Sequence, residues 1–435
     1  MNPLTCNDCP GVPPSTWYHV HLPEVTRRPS LKGAIRVDVA VIGAGYTGLW
    51  AARHLAEAGL NVAVLDAHGV GFGGSGRNGG QLHPGFTRAQ IEIEARRGPG
   101  DARALWDLSR TGMEAVKAFC AKHPETAYRA GIAHATHRAG DMGDLARDAE
   151  YLAKTYGYEI ELLDRAAFGA LVQSPLYAGG TLDPHGGHLN PLAYARALAG
   201  AAEAAGARIY EDSEVTAITP PQGAEPVRLT TPLGRVEAES LIIAGNGYFP
   251  SLYEPVHARV MPINSIMLAT EPLGDRWREV LTRDIAVSDA MFIVNYFRLS
   301  EDHRLLFGGR ENFRLRFPKA ILPLLRARML RVFPQLSDVA TPHVWGGTLG
   351  ITPSRIPLIG RCGNRILVGA GFSGQGLSLT AMAGRVLADA IRGQHAGLSS
   401  LEKLPVPRFP GSDRLRAPIL SLAMAWYALR DRIGV

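Results

Sequence analysis

The chain has 435 residues, 46% hydrophobic and 20% charged, which is enough to bury cores in two or three domains and too apolar for a disordered tail protein. Its 49 glycines and 30 prolines exceed the usual share of about 12% for the two together and follow no collagen-like period, so they mark turns and close backbone approaches. The formal charge of +6 is spread along the chain, which argues against nucleic acid as a partner; four scattered cysteines exclude a disulfide scaffold, and the first residues lack a secretory pattern, so a cytoplasmic setting is expected.

A Pro-rich leader occupies residues 1–33 and carries Cys6 and Cys9 at CxxC spacing; without a second close pair these read as reduced thiols rather than as a metal site. Residues 37–42 form a short β-branched run, a buried parallel strand, and the helical pattern of residues 49–58 ends at Gly59. A second strand covers 61–65 and stops at Asp66. Residues 87–121 and 140–155 are helical and charged. A helix over 189–205 leads into strand-like pieces at 208–210 and 215–218, and a short strand at 240–244 closes on Gly245. Alternation over 255–343, clearest at 292–299 and 304–307, predicts an antiparallel sheet. An apolar strand at 365–368 runs into a glycine-rich turn and a helix over 377–391. The uncharged stretch 417–429, flanked by arginines, is too short to span a membrane; it reads as a C-terminal helix packed on the body or resting weakly on a membrane surface, the inner face if so.

The turn between the first strand and helix is Gly43-Ala44-Gly45-Tyr46-Thr47-Gly48, a GxGxxG placed between strand and helix and followed by Asp66 at the end of the next strand. Gly43 allows the tight turn, Gly45 lets backbone reach a pyrophosphate at the helix N-terminus, Gly48 permits close helix–strand packing, and Asp66, with Ala67 beside it, meets a ribose. This predicts dinucleotide binding. A second glycine-rich stretch follows at once, 71–81, with Ser75, Gly76, Arg77, Asn78, Gly79, Gly80 and Gln81; an extended FAD needs such cover along its ribityl chain and ring, whereas a nicotinamide cofactor does not.

These stretches, together with Gly186-Gly187-His188, Ala244-Gly245-Asn246, 304–309 and 425–432, resemble the D-amino-acid-oxidase-like family of FAD-dependent oxidoreductases, and within it the γ-glutamylputrescine oxidase branch, over nearly the whole chain. The resemblance implies a two-domain α/β (α+β) fold: a Rossmann-like FAD-binding domain from 34–110, 180–250 and 340–400, interleaved with an antiparallel-sheet substrate domain from 111–179 and 251–339, then a C-terminal segment over 401–435. It also implies FAD contacts at the 75–81 loop, at Val215, at Ala244 and Gly245, and at Gly371, Ser373, Gly374, Gln375, Gly376 and Leu377. A helix beginning near Gly376 would point free N–H groups at the reduced flavin's negative end. Relatives that attach flavin covalently use a cysteine ahead of Thr352-Pro353; residues 345–351 contain none, so FAD is expected to be non-covalent.

The implied reaction is oxidation of a γ-glutamylputrescine-like amine: hydride transfer to flavin N5, imine hydrolysis to aldehyde and ammonia, and reoxidation by O2 to H2O2 or by another acceptor. An alkylammonium with a lysine-like pKa of about 10.4 must lose its proton first, which favours a buried, aromatic-walled site over a carboxylate beside the nitrogen. Trp345, Tyr296 and Tyr253 are candidate walls, and His83, directly after the flavin loop, a candidate lining residue. Arg310 is placed either near N5 to favour oxygen reduction or against a substrate carboxylate, and here the γ-glutamylputrescine oxidases carry glycine. His188 is read as a cap or loop-ordering residue as readily as a catalytic one, and no metal site is expected. Three other readings stay open: a flavin dehydrogenase serving a quinone, an oxidase of an imino acid or N-methyl amino acid, and a non-catalytic flavin-binding interaction protein. The oligomeric state is not indicated.

Overall fold

A computed structural model describes residues 2–9, 11–249, 251–291, 294–312, 315–318 and 320–411, with the backbone alone at 310–312. The elements that position the site are, in chain order, strand β1 (Gly33–Ile42), helix α1 (Tyr46–Glu57), strand β2 (Val62–Leu65), helix α2 (Pro99–Lys122), strands β3 (Arg129–Thr136) and β4 (Gly179–His188), helix α3 (Pro191–Ala204), strands β5 (Gly234–Ile243), β6 (Met261–Ala269), β7 (Ala286–Asp289), β8 (Tyr296–Leu299), β9 (Leu305–Asn312), β10 (His343–Ile351) and β11 (Ile366–Ala370), and helix α4 (Leu377–Ile391).

In the first sheet β11, β5, β1 and β2 lie side by side and parallel, with Arg208–Tyr210 continuing beyond β2 and Leu358–Gly363 antiparallel on the edge beside β11. The inner half of β1 and all of β2 and β11 are buried, which is why they read as unbroken apolar runs rather than alternating ones. On one face α1, α2, α3 and α4 close the largest core, with Leu49 and Leu55 meeting Tyr194, Leu379 and Leu387. The second sheet runs β10, β6, β9, β8, β7, β3, β4, antiparallel throughout except where β7 lies parallel to β3. Alternate residues of its strands, Ile266 and Leu268, Leu305 and Phe307, point into a separate core with Phe297 and Phe333.

The chain crosses between the sheets four times, so the two units are interleaved as expected, with different seams. Residues 180–188 and 343–351 were expected in the FAD-binding unit but are strands β4 and β10 of the second sheet; both are pulled there by backbone pairing, β4 with β3 and β10 with β6. Residues 111–122 belong to α2 and pack in the first core, not with the second sheet. The leader is integral rather than a linker: Trp17 and Tyr18 are fully buried beside Trp345, Leu31 lies under the first sheet, and Arg28 pairs with Glu203 and Glu211. The C-terminal helix expected at 417–429 lies outside the described residues, among which no helix is long and apolar enough to cross a membrane.

Candidate cofactor and active site

The turn from β1 into α1 is closed around its own backbone. Gly43 sits at φ +107°, and a Cβ there would come within 2.9 Å of the Ala244 carbonyl; a Cβ on Gly48 would lie 2.0 Å from the Gly43 carbonyl. These two glycines therefore let the helix seat directly on the strand. Gly45 opens α1 without any side-chain cap, so the first N–H groups of the helix are left for another acceptor, apart from Tyr46 N–H, which donates to Ser75 Oγ at 3.1 Å. The Tyr46 and Thr47 side chains point away, Tyr46 to the Pro191 carbonyl and Thr47 into the core.

Beside that turn lies a cleft enclosing about 820 Å³ of space, including the part open to solvent. Gly43, Gly45, Asp66, Ala67, Ser75, Val215, Ala244 and Gly245, all expected to meet the cofactor, line it together. Asp66 Oδ2 accepts from Ala44 N–H at 2.7 Å and Oδ1 from His68 N–H at 2.9 Å, which aims the carboxylate while leaving each oxygen a further lone pair. Burial raises its pKa, and the two N–H donors act against that rise. Leu4, Phe72, Asn246 and Tyr248 also line the wall; Phe72 and Asn246 fall within the glycine-rich stretch and the 244–246 turn already noted, whereas no sequence pattern singled out Leu4 or Tyr248.

The second glycine loop is locked by its own side chains. Asn78 Nδ2 donates to the carbonyls of Gly74 and Ser75 and to Tyr46 Oη, and its Oδ1 accepts Gly80 N–H at 2.7 Å. Buried Arg77 donates to the carbonyls of Phe72 and Gly346 and pairs with Asp8 at 3.0 Å, its guanidinium lying over the Phe72 ring. Gln81 reaches the Val287 carbonyl on the second sheet. Arg77, Asn78 and Gln81 thus shape the loop, and Gly79 and Gly80 bring its backbone to the seam between the units. The seam is bolted by two residues the sequence did not single out: Arg298, 2% exposed, donates to the Gly79 carbonyl at 2.7 Å, and Tyr18 Oη donates to the Asn78 carbonyl at 2.9 Å.

After β11 the chain makes the third glycine turn. Gly371 at φ +72° donates to Asn246 Oδ1 at 2.8 Å, and Ser373 Oγ turns back to the Gly371 carbonyl. A Cβ on Gly374 or Gly376 would meet no atom of the described residues within 4 Å beyond its chain neighbours. Helix α4 then begins at Leu377 with no side-chain cap. Gln375 spans to the Gly85 carbonyl at 2.7 Å and Ser378 to the His83 carbonyl at 2.7 Å, which brings the first and last thirds of the chain together.

The chain matches the model of the FAD-dependent oxidoreductase family DAO over residues 38–390. It is 36% identical to the gamma-glutamylputrescine oxidoreductase of Escherichia coli (strain K12), over 97% of this chain and 99% of that protein, and 37% identical to the probable oxidoreductase OrdL of Rhizobium meliloti (strain 1021) over the same shares. Among solved structures, the glycine oxidase of Bacillus cereus ATCC 14579 superposes with a TM-score of 0.70 at 20% identity, covering 86% of this chain and all of that one. The chain belongs to the DAO family of FAD-dependent oxidoreductases.

The geometry fits the cofactor of that family. One uncapped helix start and a held carboxylate face the cleft, and a second uncapped helix start with two glycines facing open space stands at the seam. The substrate-side candidates of this DAO-family chain separate into two groups. Tyr296 is brought to the seam: its ring fills the space where a Cβ on Gly79 or Gly308 would sit, and its hydroxyl bonds Ser265 Oγ at 3.1 Å. Trp345 is nearby but buried, with its indole N–H committed to the Arg77 carbonyl at 2.9 Å, so it supports the loop. His83 lies at the seam against Gln375, and burial lowers its pKa, as it does for neighbouring His134 on β3. Arg310 continues β9 by its backbone, and its side chain is outside the described residues.

Tyr253 is placed apart from Tyr296: its hydroxyl donates to the Cys362 carbonyl at 3.0 Å, and it packs with the first-sheet core. His188 does not cap α3, since Asn190 Oδ1 accepts Ala193 N–H; it is buried at 3.2 Å from Asp284 instead. Among the described residues no three His, Cys, Asp or Glu side chains are gathered as a metal site.

Proposed function

We propose that this protein oxidises an amine whose far end is acidic or amide-bearing, of the γ-glutamylputrescine type, using non-covalent FAD and oxygen as acceptor. Bound FAD supplies the hydride acceptor. The observation that carries the reading is the near-complete alignment with a relative named gamma-glutamylputrescine oxidoreductase, joined to one uncapped helix start at the Asp66 cleft and a second at the seam, where the half-buried Tyr296 also lies. The chain's own residues then divide the work. The 75–81 loop and the 371–377 turn hold the cofactor's ring end, and the start of α4 offers N–H donors and about half a positive charge to an anionic acceptor there. Tyr296 provides an aromatic wall that favours the neutral amine by excluding water, with no carboxylate required at the nitrogen. Arg310 is our candidate for the substrate's acidic end or for the oxygen-facing charge. Cys362 packs against the first-sheet core and is not part of the cleft lining, which supports a flavin without a covalent bond.

The test is anaerobic bleaching of the flavin absorbance by a panel of γ-glutamylated amines, free polyamines, N-methyl amino acids and imino acids, followed by peroxide measurement on admitting air. Bleaching confined to N-methyl amino acids or imino acids overturns the substrate class. Full bleaching with negligible peroxide, but turnover with a quinone, overturns the acceptor.

A further inference from the structure

We propose that residues 2–9 of the leader are a strap that closes the cofactor cleft and slows the escape of FAD, by tying the cleft's outer rim to the second unit. The idea rests on placing the adenosine and pyrophosphate end of FAD in the cleft beside Asp66.

The strap is attached at three places. At the rim, Leu4 lines the cleft opposite Ala67, its carbonyl contacts His68 Nε2 at 2.9 Å, and it packs with Phe72 and Tyr248. In the middle, Asp8 pairs with Arg77 at 3.0 Å with both side chains largely withdrawn from water, 11% and 2% exposed. Arg77 in turn lies over Phe72, the same ring that forms the cleft wall. Beyond the cleft, Asn7 Nδ2 donates to the Leu315 carbonyl at 2.7 Å and its Oδ1 accepts Phe317 N–H at 2.8 Å, so the strap ends on the second unit. An eight-residue stretch near the chain terminus, with one proline and two cysteines, would ordinarily fray. Here it gives up freedom for a buried ion pair that leaves Asp8 Oδ2 and one Arg77 nitrogen without a hydrogen-bond partner, an arrangement that makes sense where its position over the cleft is what matters.

The experiment follows release of FAD from the full-length holoenzyme by the rise in flavin fluorescence after dilution, comparing wild type with Leu4→Ser, Asn7→Ala and Asp8→Asn. The strap predicts release at least fivefold faster in each, most in Asp8→Asn, with far-ultraviolet circular dichroism unchanged. Asn7→Ala removes two partly buried hydrogen bonds without touching the ion pair and keeps the proposal testable should the Asp8 variant fold poorly. Asp66→Ala is the control for the placing of FAD. If Asp66→Ala speeds release and the three strap variants stay within twofold of wild type, the strap is overturned. If Asp66→Ala also changes nothing, the cleft itself has been misplaced and the strap falls with it.

Discussion

The first and third glycine turns look alike on paper and are opposites in space. A Cβ on Gly43 or Gly48 would run into the protein's own backbone, whereas a Cβ on Gly374 or Gly376 would meet no atom of the described residues within 4 Å beyond its chain neighbours. A glycine can thus be required because the protein is packed against it, or because something that is not protein needs the room. Both turns open an uncapped helix, but only the first is also a structural hinge pin, seating α1 on the central strand β1.

The sharpest way to break this contrast is Gly48→Ala. With a Cβ 2.0 Å from backbone, α1 must lift from the sheet, and we expect a loss of at least about 3 kcal/mol of stability, read by denaturant unfolding of the apoprotein. A change under about 1 kcal/mol would mean the turn is not closed. Next comes Asp66→Ala, which strands the Ala44 and His68 N–H groups and removes the carboxylate we propose for the ribose; at about 1–3 kcal/mol per lost charged acceptor, FAD affinity should fall roughly 10- to 100-fold in a titration of apoprotein.

Gly376→Val is the counterpart at the open turn. The apoprotein should unfold within about 0.5 kcal/mol of wild type, as a surface change does, while FAD binding weakens at least tenfold. Equal damage to both would show that the turn is filled by protein after all.

The smallest expected effect is of pH. His83 and His134 have folded pKa values below their ordinary 6.5, chiefly through burial, so they are neutral in the folded state at pH 7. The unfolded chain binds protons first on acidification, and the stability present above about pH 6.5 is lost as pH falls through the lowered values. Asp66 has the opposite sign: its raised pKa means that acid relieves the burial of its charge. His134→Asn should therefore flatten part of the decline in stability between pH 7 and 5, measured by thermal melts, and an unchanged slope would remove His134 from the account.

Much of the cofactor half was legible in the sequence because its requirements are local. A tight turn, a close helix seat and an acid at a strand end are each satisfied within a few residues, so Gly43, Gly48 and Asp66 could be assigned from spacing. The unbroken apolar runs of β2 and β11 likewise identified strands buried on both faces. The substrate side was not so legible, because which aromatic faces the seam depends on pairings between strands far apart in sequence. Tyr296 and Tyr253 look equivalent as residues; the pairing of β8 with β9 carries the first to the seam, while Tyr253 bonds Cys362 on the other sheet. The leader shows the same limit most plainly. Composition alone made it a Pro-rich leader, and only the tertiary structure packs Trp17, Tyr18 and Asp8 against the second glycine loop, because long-range burial and a largely buried ion pair outweigh the weak local propensities of such a segment.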